Sequence, residues 1–143
     1  MAPPSGGEGD AVYSVPSTHD VTAAALTVLR RHHSVTALGR LTALVLQRLR
    51  ETHPNAALRP ERLRRLLVAD PRFEVEIHYR EEPSRRALSR CPVCRSPLTS
   101  SKNLTIFGGT VTVGHTCTRC QYWTGRQRRV PMLYRIRTAP AAP

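Results

Sequence analysis

Four cysteines constrain this chain more than any other feature. Cys91-Pro92-Val93-Cys94 and Cys117-Thr118-Arg119-Cys120 hold all of them, in the pattern C-x2-C-x22-C-x2-C. Two intervening residues let one tight turn present both sulfurs to a single ion, and backbone N–H groups of that turn can donate to the thiolates. Two such turns complete a tetrahedral S4 shell, which suits one structural Zn2+. The alternatives are rubredoxin-like iron, a redox Cys-x-x-Cys and four free thiols. Rubredoxin-type activity gains nothing from a basic surround, and a thioredoxin-like motif needs a βαβ unit that the sequence lacks. The free energy of a closed site is folding free energy, which a unit of about 50 residues needs.

The surround is basic. Lys+Arg is 22 against 10 acids, a formal charge of +12, and Lys102 is the only lysine. All 10 acids lie in residues 1–82, whereas residues 83–143 carry Lys102 and ten arginines with no acid. A half so basic attracts polyanions, and nucleic acid is the commonest one inside a cell. The N-terminus is Pro/Gly-rich without an apolar core, so no secretory signal is expected. No apolar run reaches the roughly 18 residues of a membrane span. The expected setting is a reducing cytoplasm, where clustered cysteines serve as metal ligands.

Residues 1–16 and 138–143 read as tails. Between them, Asp20 is the expected N-cap of a helix over Val21–Arg31. Ser34 is the expected cap of a second helix, about Val35–Thr52, with Val35, Leu38, Leu41, Val45, Leu46 and Leu49 in helical rhythm. Pro60 and Glu61 open a third, with Leu63, Leu66 and Leu67 inward. Arg72–Tyr79 alternates as a strand, and Arg85–Arg90 is either its return strand or a linker. Helices followed by a hairpin resemble a winged helix-turn-helix in element order, over residues 17–90.

Beyond the first Cys pair, Leu104–Phe107 and Thr110–Thr116 flank Gly108-Gly109. They predict a two-residue β-turn with Ile106 facing Val111 and Leu104 facing Val113. Val130, Met132, Tyr134 and Ile136 alternate as a third strand, at an edge because of Pro131. Cysteine turns bracketing such a hairpin resemble the zinc-ribbon family, over about residues 88–137. From that resemblance, Cys91, Cys94, Cys117 and Cys120 carry over as the zinc ligands. Arg95 and Gln121 stand where ribbons often have glycine with positive φ. The expected fold is therefore α+β, a helical winged-helix-like module (17–90) followed by a three-stranded zinc ribbon (91–137). That arrangement is similar to the transcription factor E alpha subunit. The chain also resembles small archaeal-type zinc-ribbon proteins through Lys102-Asn103-Leu104-Thr105, Gly108-Gly109, Cys117–Trp123, Gly125 and Arg128–Pro131. This second resemblance implies no function.

Candidate contacts follow from charge and stacking. Tyr122 and Trp123 stand beside Arg126, Arg128 and Arg129, a mixture suited to phosphates and bases. Lys102 and Arg119 add cations on the ribbon. Arg59, Arg62 and Arg65 form a helical stripe that faces either a phosphate row or solvent. His115 precedes Cys117 closely, but four sulfurs already fill the shell. No phosphate loop, dinucleotide fingerprint, nucleophile elbow or zinc-protease motif occurs, so neither an enzyme nor a small-molecule substrate is expected. The expected function is nucleic-acid binding as an accessory factor in transcription. The rivals are an RNA- or ribosome-associated protein and an adaptor docking on a machine such as RNA polymerase.

Overall fold

The computed structural model describes residues 13–83 and 88–140. It is an α+β fold of three helices and two small antiparallel sheets. Helix α1 spans Thr18–His32, strand β1 Ser34–Thr36, α2 Leu38–Leu49 and α3 Pro60–Val68. Strand β2 spans Phe73–Pro83, β3 Leu98–Leu104, β4 Thr110–Cys117, β5 Trp123–Thr124 and β6 Gln127–Thr138. No helix is long and apolar enough to cross a membrane among the described residues.

Helix α1 buries Val21, Ala24, Ala25, Val28 and Leu29, the i, i+3, i+4 pattern of one apolar stripe. Its cap is Ser17, whose hydroxyl accepts from the Asp20 N–H at 3.0 Å, so the helix starts a turn earlier than expected. Asp20 instead sits in the first turn, where its charge suits the positive helix end. Residues 13–16, expected as tail, are docked: Ser14 exchanges backbone hydrogen bonds with Asn55 and Ala57, and Pro16 is buried.

The second helix departs more from expectation. Val35 is not helical. It lies in β1 opposite Ile136 of β6, and both are buried. Ala37, at φ 84, breaks the path between β1 and α2. Its N–H donates to the Tyr134 carbonyl at 2.9 Å. The helical rhythm at Val35 was coincidental, because the partner that makes it a strand lies a hundred positions away. Helix α3 starts at Pro60 as expected and buries Leu63 and Leu67.

The first sheet has the order β1-β6-β2. Strand β2 therefore pairs with β6, and the segment expected as return strand or linker, Arg85–Arg90, falls partly outside the described residues. Residues 84–87 lie outside the described part, and Arg90 makes a single bridge to Pro97. Likewise Val130–Ile136 does not join the second sheet, as the alternation alone had suggested. In β6, paired with β2, Tyr134 and Ile136 are buried in the core. A register shift at His78/Tyr79 kinks the pair near Pro131. Pro131 tolerates its position because β1 borders β6 only at Arg135–Arg137, leaving that stretch an edge.

The second sheet has the order β3-β4-β5. The hairpin register differs from the two-residue turn expected: Leu104 faces Thr110 and Asn103 faces Val111. The Thr105 N–H donates to the Gly109 carbonyl at 2.7 Å, which closes a loop of Ile106, Phe107 and Gly108. Only Gly108 takes positive φ, 89°, as a three-residue hairpin loop requires at its last position. Leu104, Ile106, Phe107 and Val111 are consequently exposed rather than sharing a packed face.

Candidate metal centre

The cysteine cluster is built from two turns of matching geometry. In the first, the Val93 N–H donates to Cys91 Sγ at 3.3 Å, and the Cys91 N–H donates to the Ser96 carbonyl at 2.8 Å. In the second, the Arg119 N–H donates to Cys117 Sγ at 3.4 Å, and the Cys117 N–H donates to the Tyr122 carbonyl at 2.7 Å. Each chain then leaves through a left-handed residue, Arg95 at φ 66 and Gln121 at φ 65. These are the positions where ribbons often carry glycine, and here side chains with a Cβ accept the strain.

The four sulfurs converge. Cys91 and Cys120 Sγ are 3.4 Å apart, Cys94 and Cys117 Sγ 3.5 Å, and all four lie within 4.8 Å of one another. A tetrahedral shell with metal–sulfur bonds of about 2.3 Å has edges of about 3.8 Å, inside that range. Cys91, Cys94, Cys117 and Cys120 are able to hold one metal ion. His115 lies on β4 opposite Ser100 and Thr124 and is not among the grouped ligands.

Burial pushes the Cys91 and Cys120 thiols up, because charge is costly away from water. Burial acts on Cys94 too, but hydrogen bonds from the Ser96 side chain and backbone outweigh it and bring that thiol down to about 7. Without a cation, four sulfurs this close cannot all ionise. A divalent metal supplies the charge that lets them.

The cluster is docked on the helical layer. The first turn packs against α3, where Arg64 Nε donates to the Val93 carbonyl at 2.7 Å and Arg95 pairs with Glu61. The second turn leads into Tyr122, which is buried with its ring 5.9 Å from that of Tyr79 and its hydroxyl on the Arg129 carbonyl. Tyr122 is therefore a packing residue, and the expectation that it stacks on a base is corrected: its ring has no free face. Arg129 lies 4.0 Å from the ring centroids of both Tyr79 and Trp123 and donates to the Trp123 carbonyl. It clamps β6 to the second sheet.

The remaining candidate cations are scattered. Arg126 is exposed in the turn before β6, and Arg128 stands opposite Glu82 in the β2–β6 register. Arg135 and Arg137 pair with Glu76 and Glu74, so acids from the first half neutralise part of the basic half. Lys102 is exposed at the register shift of β3. Arg59 is exposed at the start of α3, whereas Arg62, Arg65 and Arg119 line one cavity together with Cys94 and Cys120. Arg64, which helps fasten the cluster, carried no sequence signal, because it is one arginine among several on a short helix, and Glu61 was legible only as a first-turn acid and not as the partner of Arg95.

Comparison of the chain with protein-family models, with curated proteins and with solved structures finds no match in any of the three.

Proposed function

We propose that this chain is a zinc-bearing nucleic-acid-binding protein that serves as an accessory factor in transcription. Zinc is the ion that a closed S4 set favours, and Cys91, Cys94, Cys117 and Cys120 would hold it. Such an ion is structural: four thiolates leave no position for a water or substrate. The helices α1, α2 and α3 with sheet order β1-β6-β2 support reading the first part of the chain as a winged-helix-like module. In that reading the ribbon fills the place of the wing between β2 and β6.

The observation that carries the reading is the docking of the first cysteine turn on α3. It joins the arginines of α3 to those of the ribbon, so helix and ribbon can meet one polyanion together. Phosphate contacts from arginine are bidentate and independent of sequence. The test is a salt titration of the zinc-loaded protein against duplex DNA and structured RNA of matched length. A steep fall of affinity with salt supports the reading, and the preferred polymer separates transcription from work on RNA or the ribosome. Absence of binding to both at physiological salt overturns it.

A second reading has one observation in its favour. Leu104, Ile106 and Phe107 expose 79%, 93% and 92% of their surface at the ribbon tip. An adaptor would press such a tip into an apolar pocket of a larger machine such as RNA polymerase. It would bind free nucleic acid weakly.

A further inference from the structure

A cavity of about 390 Å³ lies between α3 and the two cysteine turns. Arg62 and Arg65 reach it from one face of α3, Arg119 from inside the second turn, and Cys94, Ser96 and Cys120 form the opposite wall. No carboxylate lines it, and among the described residues no ion pair engages any of these three arginines. The Arg62 Nη1 atom is buried and has no hydrogen-bond partner among them. That atom is out of reach of anything in the cavity, so the donors an anion would meet are those of the exposed Arg65 and Arg119 and the remaining N–H groups of half-buried Arg62.

The thiolate wall is one negative neighbour of these arginines. Three guanidinium groups exceed the net charge of about −2 on a zinc tetrathiolate. The acceptor that suits converging arginine forks is a tetrahedral oxyanion, which offers several oxygens at once. The volume falls in the usual range for small-molecule sites of about 300–1,000 Å³, so the phosphate can arrive with its sugar attached.

We propose that this cavity is a phosphate seat, with Arg62, Arg65 and Arg119 as its donors. The phosphate comes from a polynucleotide backbone or from a mononucleotide. The first source rests on the function proposed above, whereas the seat itself does not.

The test follows the arginine Nε–H signals of the zinc-loaded protein by NMR. Inorganic phosphate, adenosine monophosphate and the tighter-binding of the two polynucleotides are titrated in turn. The expected result is that all three ligands shift the Arg62, Arg65 and Arg119 signals. Arg62→Gln then weakens inorganic phosphate about tenfold, while Arg40→Gln, on the exposed face of α2, leaves it unchanged. Arg119→Gln, on an exposed turn, serves as second variant should the first fail to fold. The seat is overturned by absent shifts or by equal losses in the Arg40→Gln control. It is also overturned if the seat variants lose zinc faster to a chelator with phosphate affinity intact, which would make the arginines counter-ions of the thiolates. Binding of the two small probes without any polynucleotide upholds the seat with a mononucleotide source and removes the function proposed above. Polynucleotide binding that leaves the three signals still removes the seat alone.

Discussion

A Cβ built on Gly114 would lie 2.3 Å from the carbonyl oxygen of Thr124. Strands β4 and β5 meet there, and the obstructing atom is backbone, so no side chain can swing aside. The approach places Tyr122 in the core and Arg129 over Trp123. Gly114→Ala should therefore cost roughly 3 kcal/mol, the upper end for overpacking, and loosen the second cysteine turn. Denaturant unfolding with metal release followed in parallel checks it. A variant within about 0.5 kcal/mol of the parent would show that the two strands can separate freely.

Cys94→Ser should abolish tight metal binding and unfold the ribbon while the helices keep their packing. Cys94 faces Cys117 at 3.5 Å, and the hydroxyl that replaces its thiol is a poor zinc ligand at neutral pH. Native mass spectrometry reads the metal, and amide exchange reads which half opens. Retention of one zinc with protected β3 and β4 amides would rule out a four-sulfur shell.

Arg129 and Arg126 should separate into stability and binding. Arg129 is held between the Tyr79 and Trp123 rings, so Arg129→Ala should cost about 1–2 kcal/mol and alter the fluorescence of Trp123, the sole tryptophan. Arg126→Ala should leave stability alone and reduce the salt slope of nucleic-acid binding by about one. The reverse assignment, with Arg129→Ala stable and weak in binding, would dismantle the clamp.

Asp70 makes a pH-dependent contribution. Its carboxylate accepts from the Arg72 Nε, Nη2 and backbone N–H groups, and the Arg72 side chain holds its pKa below the usual value of 3.8. The folded state thus prefers the ionised form. The stabilisation is fully present above the unfolded pKa and is lost as pH falls through the lower, folded one. Asp70→Asn should be less stable than the parent by a constant amount from neutral pH down to about 4, with the gap closing below that. Metal loss on acidification affects both proteins and cancels in the difference. A gap independent of pH would assign the effect to packing of the turn.

What was legible in the sequence was whatever a short stretch encodes by itself. The spacing of Cys91, Cys94, Cys117 and Cys120 requires two sulfur-presenting turns, and the sulfurs do converge. Pro60 with Leu63 and Leu67 opens and faces α3 locally, and Phe73, Val75 and Ile77 alternate as β2. Val35 was misread because its strand exists only through Ile136, and Val130–Ile136 because two sheets competed for one alternating segment. Gly108-Gly109 suggested the shorter turn. The Thr105 side chain, which accepts from the Gly109 N–H at 3.1 Å, is part of the longer loop that forms instead. The cavity arginines were visible as a stripe, but nothing local announces that Arg119 arrives to face Arg62.

The pairing of Pro83 with Gln127 closes the β2–β6 ladder at the end nearer the cysteine turns and the second sheet. Those two positions are neighbours across a ladder, so the intervening stretch spans almost no distance end to end. For the first sheet, it is a hairpin tip of arbitrary length. One genetic insertion or deletion at that tip would add or remove the whole metal module while β2 and β6 kept their partners.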